Sequence, residues 1–476
     1  MESATSILLL LAVISIFILL IKFAAQKKKT TMNHKVPPTV SYSLPIFGHG
    51  IYICFYPRQF LKHCYSKHGD VFQVKIFSRL VTIVCNRDLV SEICSSSETE
   101  LSFYNHLERT FVGMANGLKI STRASIIRKA TVKIGSRQMG YSILPDAYEF
   151  VDRLKFQSQN AKDKIDLKLE ISRFVIKATA SALLGIEFTD AMVEEFKTYA
   201  SLQNISAMAT RALPIQLARL LFSTRLNMRM NHIWTALEKQ IALYREDSSL
   251  RESQVLRAAV DAVNDRTQSP LTDHEITCVL MGLLFASTGN TSLCILHTIL
   301  EISKNPECLK RVLKLVDLSF DSGDVTDILN SDYLHYCILE AARLNTNIIL
   351  VERMPEQKKY IGNYYVGHCD LVAIAGTLNH VDGSAQQSFL HPHDFNPDRY
   401  VENQQLQSQV MSWGAGGHAC SGRLFAIVMT KLLVANFLKN FSLNLRSTSV
   451  SKPNFRYPTA FVDLKVLAKL DERNIE

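Results

Sequence analysis

The sequence predicts a mainly α-helical fold with small β-sheets, carried behind an N-terminal transmembrane helix. Three patterns predict it. From about residue 149 to 314 most segments repeat apolar side chains at helical period. Short β-branched runs and turns flank that region. Residues 7–25 are almost wholly apolar.

The apolar run comes first. A bilayer needs roughly 20 apolar residues in a helix, and residues 7–25 supply that length. Only Glu2 is charged before it, whereas Lys27, Lys28 and Lys29 follow, which places the bulk of the chain on the cytosolic side. A cleaved signal peptide carries a basic start and a shorter apolar core. Residues 1–30 are therefore expected to be a retained membrane anchor. Residues 31–50 read as a Pro-rich hinge (Pro37, Pro38, Pro45) ending at Gly48-His49-Gly50. With 47% hydrophobic residues and no internal repeat, residues 51–476 are expected to form one large catalytic domain.

Within that domain, residues 71–84 read as a β-hairpin turning at Ser78-Arg79. The longest predicted helix spans residues 272–305. It opens on a Thr272/Glu275 capping box and stops before Pro306, a length of roughly 50 Å. Residues 213–222 (LPIQLARLLF) fit either a core helix or one that dips into a membrane surface.

Charge and cysteine content narrow the function classes. The net charge of +9 is scattered over the chain, which argues against nucleic-acid binding and suits an acidic partner or anionic lipid. The ten cysteines are widely spaced with no CxxC pair, which fits reduced cytosolic thiols. One of them has a special setting. Cys420 lies in Trp413-Gly414-Ala415-Gly416-Gly417-His418-Ala419-Cys420-Ser421-Gly422, just before an apolar helix pattern. Backbone N–H groups and a helix start favour a thiolate there, and a thiolate is a ligand for iron. Glu340 and Arg343 sit three apart on a predicted helix among apolar neighbours. If that pair is buried it needs a further partner, for which Arg399 in Asn396-Pro397-Asp398-Arg399-Tyr400 is the candidate.

An E-x-x-R helix, a P-x-R-[FY] turn and an aromatic-x-x-G-x-[HR]-x-C-x-G loop, in this order, resemble cytochrome P-450 over nearly the whole chain. The resemblance implies the haem-thiolate monooxygenase fold and haem b with Cys420 as the axial ligand. Gly416 belongs to the loop's glycine framework, and Trp413 replaces the usual Phe, shielding or tuning the sulfur. His418 falls where the family places a basic residue at a haem propionate. The long helix becomes the one crossing the distal haem face, through Ala286-Ser287-Thr288-Gly289-Asn290-Thr291-Ser292. Thr291 matches the family's proton-delivering hydroxyl. Asn290 replaces the usual acid and cannot ionise, so a water chain is expected to carry more of the relay. Thr288, Gly289 and Asn290 lower helix propensity and predict a local bulge. A Thr on a helix ordinarily bonds back to a carbonyl, and that is the competing reading of Thr291.

The sterol 14-alpha-demethylase branch is the most similar. Arg353 and Lys129 resemble its propionate-binding residues, although Lys129 with Lys133 also fits an ordinary basic face. That face, with Arg128 and Arg137, suits an acidic electron donor. Tyr104 matches one pocket tyrosine, and a second falls at Leu118. The branch's distal His-Thr pair becomes Asn290-Thr291. These two departures argue against 14-demethylation itself. Tyr104, Leu118, Ala286 and the loop at Pro458 are expected to shape the substrate pocket. The resemblance implies an endoplasmic-reticulum enzyme, an NADPH-cytochrome reductase-type donor, contact with membrane lipid and a bulky apolar substrate such as a sterol, steroid or terpenoid. Two other readings stay open: a reductase-independent haem-thiolate isomerase or dehydratase, and a non-enzymatic haem- or sterol-binding protein.

Overall fold

The computed structural model describes residues 34–473 apart from 46, 78, 112–117, 132–133, 161–163, 214, 228–230, 248–252, 265–266, 322–323 and 453–462. The expected anchor over residues 1–30, together with Lys133 and Pro458, lies outside the described residues.

The predicted hairpin forms β1 (Val71–Ile76) and β2 (Arg79–Val84), with Val71 opposite Val84 and Ile76 opposite Arg79. Three further strands join them: β3 (Leu101–Ser102), β4 (Ile349–Pro355) and β5 (Leu371–Ala375). The sheet order is β1-β2-β5-β4-β3, and only the β2–β5 pairing is parallel. Strand β5 is buried throughout, as its apolar run LVAIA requires. Beside the sheet run the helices α1 (Phe103–Thr110), α2 (Ile120–Thr131), α3 (Ser136–Asn160), α4 (Leu167–Thr179), α5 (Asp190–Ala212), α6 (Ile215–Asn227), α7 (Asp273–Lys304), α8 (Asp332–Leu344) and α9 (Arg423–Asn440). The mainly helical expectation holds.

Helix α7 begins and ends where predicted. Thr272 Oγ1 accepts from Glu275 N, and Glu275 Oε2 accepts from Thr272 N at 2.9 Å. The helix is apolar on all sides because it runs through the largest core, packed on α4, α8 and α9. It is long and apolar enough to cross a membrane, yet most of it is buried inside the protein. The bulge predicted near Thr288 is absent: α7 is uninterrupted α-helix. Thr288 and Ser292 donate to the carbonyls of Leu284 and Thr288 at 2.7 and 2.6 Å, adding bonds to the helical ladder rather than opening it. The π-turn sits instead in the segment following α4, at Ala180–Leu184, and Ser287 Oγ lies 3.4 Å from Thr179 Oγ1 just before it.

A buried ionic network fixes α8 against the segment that precedes the cysteine loop. Glu340 and Arg343 are fully buried. Glu340 Oε1 accepts from Arg343 Nη2 at 2.8 Å, Arg399 Nε at 2.9 Å and Asn396 N at 3.2 Å. Its Oε2 accepts from Arg343 Nε and from Tyr400 Oη, both at 2.9 Å. The remaining guanidinium N–H groups donate to carbonyls, among them His380, Pro392 and Leu390. The expected partner Arg399 is therefore present, and Tyr400 is a fourth member.

His380 carries the network onward: its Nε2 accepts from Met411 N at 3.0 Å. Burial, reinforced by Arg343, pushes His380 down to about 3, so the ring stays neutral and Nε2 remains an acceptor.

Two outcomes are expected. Tyr400→Phe should lower unfolding stability by ~1.5–3 kcal/mol, the range for a bond to a charged group. Glu340→Ala, which strands two buried guanidiniums, should cost ~3–5 kcal/mol or prevent folding. Urea unfolding followed by circular dichroism measures both. For His380, the unfolded chain takes up a proton below about pH 6.5 while the folded chain does not until about pH 3. Its contribution to stability is complete above about pH 6.5 and declines as pH falls towards 3. His380→Asn, which keeps an acceptor for Met411 N, should flatten the stability profile between about pH 6.5 and 5 in the same unfolding assay.

Candidate active site

The cysteine loop is built from its glycines. Gly414 and Gly416 have φ of 71° and 66°, where L side chains are strained. A Cβ on Gly416 would lie 2.4 Å from the carbonyl oxygen of Cys94. The loop closes through Cys420 N, which donates to Trp413 O at 2.8 Å. Ser412 Oγ ties it to α8 by donating to Ala342 O at 3.1 Å. Trp413 is buried, with the Arg423 guanidinium 5.4 Å from its ring centre.

Cys420 stands just ahead of α9 and is open to an internal cavity rather than to the outer surface. Burial pushes its thiol up, while the Gly422 N–H and the Arg423 charge work in the other direction. A cation bound at the sulfur would favour the thiolate, the form in which cysteine ligates a metal.

The cavity holds about 750 Å³. One wall is the loop with Trp413, His418 and Cys420; another is α7 with Ala286, Asn290 and Thr291. Tyr104 on α1 and Arg353 on β4 line it as well. Thr291 differs from its helical neighbours: unlike Thr288 and Ser292, its hydroxyl makes no hydrogen bond among the described residues. Back-bonding accounts for the neighbours and not for Thr291, whose hydroxyl is left for a ligand or water in the cavity.

Polar groups gather at one side. Arg353 is 1% exposed, and its Nε has no hydrogen-bond partner among the described residues. His418 Nε2 lies 2.9 Å from Glu98 Oε1, while His418 Nδ1 is buried without a partner there. The Tyr104 ring meets His418 edge-on at 5.2 Å, and burial raises the Tyr104 phenol, which stays protonated.

Two expected site residues fall elsewhere. Lys129 is exposed and does not line the cavity. The inward face of α2 carries Arg123, Ala124, Ile127, Arg128 and Thr131, and Lys129 is rotated about 100° past Arg128. Arg128 takes the place beside the loop, donating to Gly417 O at 3.0 Å. Leu118 is 3% exposed and packs into the main core rather than lining the cavity; Ile120 is the cavity residue. An isobutyl group gains ~1.5–3 kcal/mol by full burial and has no polar atom to satisfy at the haem side.

Sequence reasoning missed Glu98, Glu352 and His106. Glu98 accepts from Ser102 Oγ and from Phe103 N and Tyr104 N, at 2.8, 2.9 and 3.2 Å, capping α1 as it holds His418. An acid ahead of a helix start was the available signal for the cap. Nothing in sequence spacing ties Glu98 to His418, 320 positions away.

A family model for cytochrome P-450 matches residues 37–470. The chain belongs to the cytochrome P-450 family. It is a haem-thiolate monooxygenase by that membership, with haem iron bound through an axial cysteine, and Cys420 is the cysteine in the matching loop. The residues present fit haem: a sulfur open to the cavity, apolar walls, and unpartnered nitrogens of Arg353 and His418 suited to its two carboxylates. Among curated relatives, the probable lanosterol 14-alpha demethylase of Acanthamoeba polyphaga mimivirus is 28% identical over 447 residues, 92% of this chain and 62% of that protein. The lanosterol 14-alpha demethylase of Homo sapiens is 23% identical over 425 residues, covering 86% of this chain and 82% of the relative. The sterol 14-demethylase of Arabidopsis thaliana is 25% identical over 456 residues, 89% and 88% of the two chains.

Gly416→Ala should reduce haem occupancy of this cytochrome P-450 at unchanged far-ultraviolet circular dichroism. The ratio of haem to protein absorbance in the purified chain measures it.

Proposed function

We propose that this cytochrome P-450 is a membrane-anchored monooxygenase that oxidises a bulky apolar substrate of the sterol, steroid or terpenoid class, drawing electrons from an NADPH-cytochrome reductase-type donor. The observation that carries the reading is that Cys420 and Thr291 open onto the same, mostly apolar cavity. The names of the relatives support the sterol end of that range. The reading stops short of 14-demethylation, because Leu118 and Asn290 stand where that branch carries Tyr and His.

When bound, haem supplies oxygen activation, with the Cys420 sulfur donating electron density to the iron. The chain's own groups do the rest. Arg353, His418 and Arg128 hold the haem carboxylates. The Thr291 hydroxyl accepts and passes on protons at Oγ1, where no helix carbonyl competes for it. Asn290 orients water without ionising. Trp413 keeps water from the sulfur.

Partners follow from the surface. Arg128, Lys129 and Arg137 are exposed, and Arg128 lies beside the cysteine loop; this supports a basic face for an acidic donor. On α6, Leu217, Leu220 and Leu221 point outward while Ala218 is buried and Phe222 packs on the core. This split favours lipid contact by residues 213–222. With residues 1–30 as anchor, the domain lies on the cytosolic face of the endoplasmic reticulum membrane.

The test is reconstitution with an NADPH-dependent reductase and a panel of sterols, steroids and terpenoids. Substrate binding should shift the haem spectrum, and one oxygen atom should be inserted per NADPH. Thr291→Ala should divert electrons to hydrogen peroxide at the expense of product. Hydroperoxide rearrangement without NADPH would replace this reading with the isomerase one. Binding with no product above background would leave a haem- or sterol-binding protein.

A further inference from the structure

A second polar group of residues lines the same cavity, beginning at Glu352, one strand position before Arg353. Glu352, on β4, has a side chain 12% exposed. Its Oε2 lies 2.5 Å from Arg211 Nη2 and 3.6 Å from His106 Nε2. Its Oε1 makes no hydrogen bond among the described residues. Glu352, Arg211 and His106 all line the cavity. Arg211, a third exposed, stands in the last turn of α5, one short step before α6 and its outward leucines. Arg211 thus connects the buried Glu352 and His106 to the outer surface, next to the start of α6.

The protonation states give this group its chemistry. Burial pushes His106 down to about 4, so its ring is neutral. Burial alone works against ionising Glu352, but the Arg211 and Arg79 guanidiniums overcome it and hold the carboxyl below its ordinary range. The result is an ionised carboxylate in the cavity wall, with Oε2 satisfied by Arg211 and Oε1 without a hydrogen-bond partner among the described residues. Such an oxygen is costly to leave without a donor.

We propose that Glu352, held in place by Arg211 beside the neutral ring of His106, is a specificity-determining residue that accepts a hydrogen bond from a hydroxyl group on the substrate. The inference rests on the apolar-substrate reading above and adds the polar handle that the substrate must carry. The neighbouring charges select a neutral donor. Arg79 adds a second guanidinium beside Glu352, so the carboxylate already has its counter-charge and a substrate ammonium gains little there. A substrate carboxylate has no proton to donate to the Glu352 oxygen. Elsewhere the walls are mostly apolar, with Leu107, Phe111, Met208 and Phe285, although Arg123 and Asn204 also line them. The ligand that satisfies both parts is a rigid apolar body with a hydroxyl at the end that rests by Glu352, and its reacting carbon directed towards Cys420 and Thr291.

The experiment uses the haem-loaded full chain. A 3-hydroxysterol and its 3-methyl ether are titrated separately, and the haem spectral shift reports each Kd. The ether keeps the shape and loses the donor. The native chain should bind the alcohol about tenfold or more tightly than the ether, as expected for a bond to a charged acceptor. Glu352→Met should bind the two within about twofold of each other, and Glu352→Asp should retain part of the preference. A thiolate-type carbon monoxide spectrum verifies each variant; if Glu352→Met does not load haem, Glu352→Gln replaces it. Equal affinities in the native chain, or an unchanged preference in the Met or Gln variant, overturn the proposal. If neither sterol binds, the sterol reading fails. A rigid terpenoid alcohol and its methyl ether are then compared in the same way, and no preference for that alcohol overturns the anchor.

Discussion

Glu340 is a fully buried carboxylate between two guanidiniums, and the placement of the cysteine loop depends on it. Two opposing terms explain why. Taking these ions out of water costs several kcal/mol each, and only dense pairing with good geometry offsets that cost. The carboxylate accepts five hydrogen bonds, and the spare guanidinium N–H groups find backbone carbonyls from residues 380–394. A network of this kind tolerates one arrangement of the chain. From it the order passes outward, through His380 to Met411 N and through Ala342 O to Ser412, to the residues immediately before Trp413. Cys420 is thus held by a scaffold whose cost is met elsewhere, which leaves the sulfur itself open to the cavity.

The two sides of the cavity are built by different physics. The sulfur side is a loop of glycines locked by backbone contacts, where one added methyl on Gly416 meets Cys94 O. The opposite side is a continuous helix, α7, whose backbone is fully engaged and whose chemistry is confined to side chains. Thr288 and Ser292 spend their hydroxyls on that backbone, whereas Thr291 does not. The Glu352 group is a third regime, in which opposite charges on α5 and β4 meet in the wall of a mostly apolar space.

Much of this was legible from residue types and spacing. The Thr272 capping box and Pro306 mark the ends of α7, and Glu340 with Arg343 marks the buried face of α8. Other features were not. Arg128 and Lys129 are adjacent cations on α2, and only the helix's rotation against the cavity shows that Arg128 faces it. Leu118 was expected at the cavity from its place in a motif; the start of α2 turns it into the core. The low helix propensity of residues 288–290 predicted a bulge, but tertiary packing along α7 overrode it.

By itself the sequence determined which groups are present and what they can do: a cysteine framed by glycines, a hydroxyl in the middle of a long apolar helix, a carboxylate paired with two arginines. These are local patterns, and short-range geometry suffices to read them. The tertiary structure decided which distant groups share one space. Glu98 reaches His418 across 320 positions, and Glu352 meets Arg211 and His106 across 141 and 246 positions. Such meetings depend on how helices and strands pack, on a few tens of degrees of rotation, and on which charges burial forces into partnership. Sequence spacing does not encode any of these.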